Sequence, residues 1–164
     1  MVRKVTIIYL FNTLMLLLFS SLSVAGEEPE IIRGITENTI TIIGEQHGHP
    51  ESIKFFQSLI KGYLKKDSCL TVALEIANNQ QPIIEKIMQG RAVASDIEIS
   101  SVIDHAALRN MIDSLAKLKR NGACLNLIAI DSLKGNRDKF MAAQLIKNVG
   151  ATPILALLGG LHSL

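Results

Sequence analysis

The chain has 164 residues with 17 basic and 15 acidic side chains and no arginine-rich run or basic stripe, a balance that argues against neutralising a phosphate backbone and so against a nucleic-acid partner. Two of the basic residues, Arg3 and Lys4, belong to an amino-terminal leader, and without them 15 basic side chains face 15 acidic ones. The roughly 139 residues after the leader suffice for one domain with a real core and are too few for two.

The leader runs MVRKVTIIYLFNTLMLLLFSSLSVA. Arg3 and Lys4 precede an apolar run over 5–19, and small residues lead to Ser23-Val24-Ala25, the three parts of a secretory signal peptide. Asn12 and Thr13 interrupt the run, which falls short of the roughly 20 apolar residues a spanning helix requires. Cleavage after Ala25 is expected, with an uncleaved anchor as the alternative and as the one route to a membrane. No cysteine lies near the cleavage point, so the chain is read as exported, to a periplasm or beyond, and not as a lipoprotein. Residues 26–164 form the expected domain.

Residues 27–33 read as a charged, irregular approach, and Thr36-Glu37-Asn38 as a turn into the first strand, 39–43. This β-branched run breaks at Gly44. Glu45 and His47 follow, two residues apart, so in extended chain a carboxylate and an imidazole project side by side. Pro50-Glu51-Ser52 carries helix-start chemistry, and Ile53, Phe56, Leu59, Ile60, Tyr63 and Leu64 recur at helical spacing. A second strand over 69–74 ends in Glu75. Asn78 to Gln81 is a polar loop, and Pro82 opens a short helix that Gly90 stops. Residues 91–101 are read as a lid or a plain connection. A helix over 104–121 carries the stripe Leu108, Met111, Ile112, Leu115 and Leu118. A third strand over 125–130 ends in Asp131. The helix over 137–148 is expected to turn Phe140, Met141, Leu145 and Ile146 inward, and a fourth strand over 153–158 breaks at Gly159-Gly160 before His162.

Four short apolar strands alternating with helices, without hairpin turns, call for crossover connections. The expected fold is α/β: an open, mostly parallel sheet of about four strands with helices on both faces. In such sheets the carboxyl ends share one edge, and ligands bind there. Glu45 and His47, Glu75, Asp131 and His162 all fall at those ends and are the candidate site. Cys69 and Cys124 each precede a strand. They pair if those strands are neighbours and are otherwise two small buried hydrophobes.

Two motifs share the form Gly-x-x-His: Gly44-Glu45-Gln46-His47 and Gly159-Gly160-Leu161-His162. With Glu75 in ALEIANNQQP and the stretch RDKFMAAQL that begins at Arg137, the chain resembles the superfamily that joins erythromycin esterases, the haem-uptake ChaN proteins, TraB/PrgY and the Tiki proteases. The resemblance covers 39–162. It implies a hydrolytic site centred on Glu45, His47, Glu75 and His162, with Arg137 as an anion-facing or structural partner whose fork suits a substrate carboxylate or Glu75; Asp131, at the end of the third strand, is placed toward the substrate. In the Tiki-like branch such residues hold a divalent metal, which Zn²⁺, Mn²⁺ or Co²⁺ would suit. In the esterase branch a histidine and glutamates act on water directly.

A ligand carrier of the ChaN type, binding haem without catalysis, is the alternative. Its iron ligands would come from Tyr63 and His49, with His105 a further candidate, although Tyr63 lies on an apolar helix stripe and His105 in the first turn of a helix. Gly160 stands where relatives carry asparagine, and the chain ends two residues after His162, where the resembled proteins continue. An inactive or incomplete member, leaning on a second subunit to cover its last strand, is therefore a third reading.

Overall fold

A computed structural model describes residues 30–65 and 68–160; the leader over 1–25 and His162 lie outside the described residues. The elements in chain order are α1 (Glu30–Gly34), β1 (Ile40–Glu45), α2 (Pro50–Leu64), β2 (Leu70–Ala77), α3 (Gln81–Met88), α4 (Ala106–Arg120), β3 (Leu125–Asp131), α5 (Arg137–Asn148) and β4 (Ile154–Gly159). The four strands form one sheet in the order β1-β4-β2-β3, all parallel. The fold is the expected open parallel α/β fold.

From β1 the chain travels to β2 and on to β3 in one direction, then returns to insert β4 between β1 and β2. Parallel crossovers share one hand, so reversing direction puts the returning helix on the opposite face. Accordingly α2, α3 and α4 pack on one face around Phe56, Ile84, Ile112 and Leu155, whereas α5 covers the other with Met141 and Leu145 against Ala73, Ile130 and Ala156. β4, central and continuously apolar, is buried along its length, as strands covered on both faces are. β1 is an edge strand with Ile42 41% exposed.

Two readings of the sequence need correction. The approach to β1 is not irregular, because residues Glu30–Gly34 form a short helix that buries Ile32. It docks on α2 where Gly62 leaves room, since a Cβ there would stand 2.5 Å from Ile32 Cδ1. Ile146 does not turn inward and is 69% exposed. The buried pair Met141 and Leu145 is spaced by four and occupies the stripe that meets the sheet, and Ile146 falls off that stripe.

Cys69 and Cys124 form a disulfide with Cα atoms 4.5 Å apart. The neighbouring-strand condition is met because β2 and β3 pair from Leu70 and Leu125 onward.

Candidate functional site

All four strands deliver polar or small residues to the carboxyl edge. Across the sheet, in spatial order, β1 ends in Glu45, β4 in Gly159, β2 bears Glu75 and β3 ends in Asp131. Glu45, Glu75 and Asp131 are buried, at 8%, 7% and 8% exposure. Buried carboxylates need charge-assisted partners, and the partners define the site.

On the β1 side, Nδ1 of His47 lies 3.0 Å from Oε1 of Glu45. The turn after β1 closes with His49 N–H donating to the Gln46 carbonyl, which folds His47 back over the strand ends. If Nδ1 donates to the carboxylate, Nε2 is left with its lone pair free. The ring reaches across the end of β4. A Cβ on Gly159 would stand 2.7 Å from His47 Nε2 and 3.3 Å from Glu75 Oε2, so glycine at this register position is what lets the imidazole approach Glu75. Glu45 Oε2 is buried and has no hydrogen-bond partner among the described residues.

On the β2–β3 side, Glu75 Oε2 accepts from the Gly159 N–H at 2.8 Å, and Glu75 Oε1 accepts from Arg137 Nη2 at 2.7 Å. Arg137 also donates to Asp131 through Nε at 2.9 Å and Nη2 at 2.7 Å, a bidentate fork. The Asp131 hydrogen bonds raise the guanidinium pKa above its ordinary value. Arg137 opens α5 and leaves its side chain 44% exposed.

The strand irregularity sits here as well. Leu74 pairs with Ala129, but Ala77 pairs with Asp131, so three residues of β2 span two of β3. Such a bulge re-aims side chains and is common beside active sites; here it falls at Glu75 and Ile76. β2 also leaves toward the α3 face and β3 toward the α5 face, which makes their shared end the crevice that open α/β sheets use for ligands. A cavity of about 220 Å³ opens there, lined by Glu75, Asp131, Asn79, Gln80, Glu98 and Leu133 among others.

One wall of that cavity comes from residues 98–100, within the segment read as lid or connection. It is tied down: Glu98 N–H donates to Gln80 Oε1 at 3.0 Å, Ala94 N–H donates to Asp113 Oδ1 at 2.9 Å, and Arg109 donates to the carbonyls of Ala94 and Ile97.

The structure thus brings together Glu45, His47, Glu75, Asp131 and Arg137. Among the described residues no three His, Cys, Asp or Glu side chains are grouped to hold a metal ion. Glu75 has both oxygens engaged, while His47 Nε2 and Glu45 Oε2 are the donors left open. The haem candidates are not gathered. His49 caps α2 and is exposed, whereas Tyr63 is buried in the core fourteen residues along, about 21 Å by helix rise. His105 caps α4, its Nδ1 accepting from Leu108 N–H.

Gly159 is legible as the first residue of the second Gly-x-x-His motif, but its role as the floor under His47 is not.

The arrangement is an open parallel α/β domain with a carboxylate-oriented histidine at the carboxyl edge of its sheet. No family model matches the chain, and no curated protein does. Solved structures of bacterial toxins share the fold. One bacterial protein toxin superposes at TM-score 0.56 with 18% identity over 87% of this chain and 32% of its own. RRSP, a MARTX toxin effector domain from Vibrio vulnificus CMCP6, gives 0.53 and 17%, covering 85% of this chain and 31% of its own. A further bacterial protein toxin gives 0.50 and 17%, over 79% and 29%. The chain spans about a third of the length of these structures, and at such identities the likeness is one of fold.

Proposed function

We propose that this chain is an exported hydrolase-type domain in which the Glu45–His47 pair activates water. The observation that carries the reading is the 3.0 Å contact of His47 Nδ1 with a buried carboxylate, made while the other ring nitrogen stands over Gly159 toward Glu75. A carboxylate on Nδ1 favours the tautomer whose Nε2 takes a proton, and it stabilises the imidazolium that results.

In this reading a water at Nε2 gives up a proton as its oxygen attacks a carbonyl carbon. His47 then returns the proton to the leaving group, and Glu45 keeps its charge throughout. Arg137 holds Glu75 and Asp131 in place and supplies positive charge at the crevice. The Cys69–Cys124 disulfide supports export, because such bonds persist in oxidising compartments.

The test is hydrolysis of a panel of p-nitrophenyl esters and fluorogenic peptides by the purified mature chain. His47→Ala should lower kcat by about 10²–10⁴, the usual worth of a general base, and added imidazole should restore part of it. Unchanged turnover of every substrate cleaved by the wild type would refute the assignment.

The unpartnered oxygen of Glu45 favours a second reading, in which a divalent ion polarises the water. Glu45 Oε2 would hold it with further ligands from outside the described residues, where His162 falls, while His47 Nε2, which the Nδ1 contact turns away from that carboxylate, stays the base. Chelation separates the two: activity lost to EDTA and restored by Zn²⁺, Mn²⁺ or Co²⁺ selects the metal, and activity indifferent to EDTA selects the bare dyad.

A further inference from the structure

The second open edge of the sheet belongs to β3, and side chains occupy the places a neighbouring strand would take. Gln81 Nε2 donates to the Leu127 carbonyl at 3.2 Å, and Gln81 Oε1 accepts from the Ala129 N–H at 2.8 Å. In a parallel ladder a residue facing Ile128 donates its N–H to the carbonyl of 127 and accepts from the N–H of 129. The carboxamide of Gln81 therefore stands in for the N–H and C=O of one residue of a fifth, parallel strand. One step along the same edge, Lys119 Nζ donates to the Leu125 carbonyl at 2.7 Å.

This edge is recessed. Cavities of about 480 and about 310 Å³ lie along it, sharing Gln81, Glu85, Ile128 and Asn148, with walls from α3 on one face and from α5 on the other. Their lining is rich in side-chain amides, including Gln89, Asn126 and Gln144, the groups that best match polypeptide backbone. Walls on both sides admit one extended segment more readily than the sheet edge of a second folded copy, whose own helices would meet them.

We propose that the β3 edge is a docking site for an extended polypeptide segment, added as a fifth parallel strand, and that Gln81 is its displaceable placeholder. Binding exchanges the two Gln81 hydrogen bonds for main-chain ones and extends the ladder, the mode known as β-augmentation. The proposal does not depend on the hydrolytic reading, for it concerns the edge of β3 and not the strand ends.

The test uses the full mature chain and a neutral probe, acetyl-Thr-Val-Thr-Val-Thr-amide, followed by ¹H–¹⁵N NMR. Saturating peptide should shift the Ala129 amide and the Gln81 side-chain amide signals together. Gln81→Ala should bind about tenfold more tightly, the equivalent of one hydrogen bond no longer displaced. The probe with proline at its centre should bind about tenfold more weakly, having lost the N–H that meets Leu127. Gln81→Glu, which keeps the size but cannot donate to Leu127, serves if the alanine variant does not fold, and it too should bind more tightly. Unmoved Ala129 and Gln81 signals at millimolar peptide would overturn the proposal. So would a Gln81→Ala variant that dimerises without peptide affinity, since Gln81 would then guard the edge against a second copy.

Discussion

At their amino ends β2 and β3 are joined by the Cys69–Cys124 disulfide and by Leu70 N–H donating to the Cys124 carbonyl at 2.9 Å, and they pair in unbroken register from there to Leu74. At their carboxyl ends the same two strands slip by a residue and carry Glu75 and Asp131, two buried carboxylates gathered on one arginine. The contrast separates two jobs along one pair of strands. A covalent tie and regular ladder supply rigidity far from the proposed site, and the irregular, charged end can then hold groups that would destabilise a freely moving edge.

Removing the tie should give the largest effect on stability. Replacing both Cys69 and Cys124 with serine opens a crosslink of 55 residues and should cost about 4 kcal/mol by the loop-entropy relation, read by urea unfolding. Turnover per folded molecule should hardly move. A parallel fall in turnover would mean that the two ends are not separable.

Arg137→Ala comes next. It leaves Glu75 and Asp131 without their shared cation, and about 2 kcal/mol is expected, below the value for a fully buried pair because the Arg137 side chain is 44% exposed. Lysine in its place should recover part of the stability, but not the two-point geometry at Asp131. Gly159→Ala should destabilise by about 1 kcal/mol, typical of a tight small-to-large change. Its main effect should be on activity, because the new Cβ would meet His47 Nε2 at 2.7 Å. An alanine variant with full activity would remove Gly159 from the account.

The smallest effect is a control that lies at neither end of the strands. The hydrogen bond from Arg109 lowers the Asp104 pKa below its ordinary 3.8. A lowered folded-state pKa contributes stability above the unfolded value and loses it as pH falls through the folded one. Asp104→Asn should therefore lower the neutral-pH Tm slightly, leave the value below the folded pKa almost unchanged, and so flatten a small part of the acid-side slope of Tm against pH.

The alternation of apolar runs with helical stripes made the parallel sheet legible, and the acid or histidine after each strand pointed to one edge. The strand order was not written in that pattern. Nothing in LTVALEIA marks the bulge at Glu75, because every residue of β2 up to Ile76 is buried and no polar alternation shows the slip. Glu75 is an expected partner of Arg137, but that the fork closes on Asp131 while reaching Glu75 depends on β2 and β3 being neighbours, which only the topology supplies. The inward turn expected for Ile146 failed because the stripe of α5 that meets the sheet is narrow, taking Met141 and Leu145 and leaving Ile146 beyond its border. Gln81 looked like loop chemistry, and its role became visible only once β3 proved to be an edge.

In the proposed site the carboxylate of Glu45 sets the proton arrangement of His47. The most direct measurement is the ¹⁵N chemical shifts of the His47 ring at a pH where it is neutral, in the wild type and in Glu45→Gln. The wild-type ring should carry its proton on Nδ1 with an unprotonated Nε2, and Glu45→Gln should lose this preference. A wild-type ring protonated on Nε2, or a tautomer balance unmoved by the substitution, would contradict that role for Glu45.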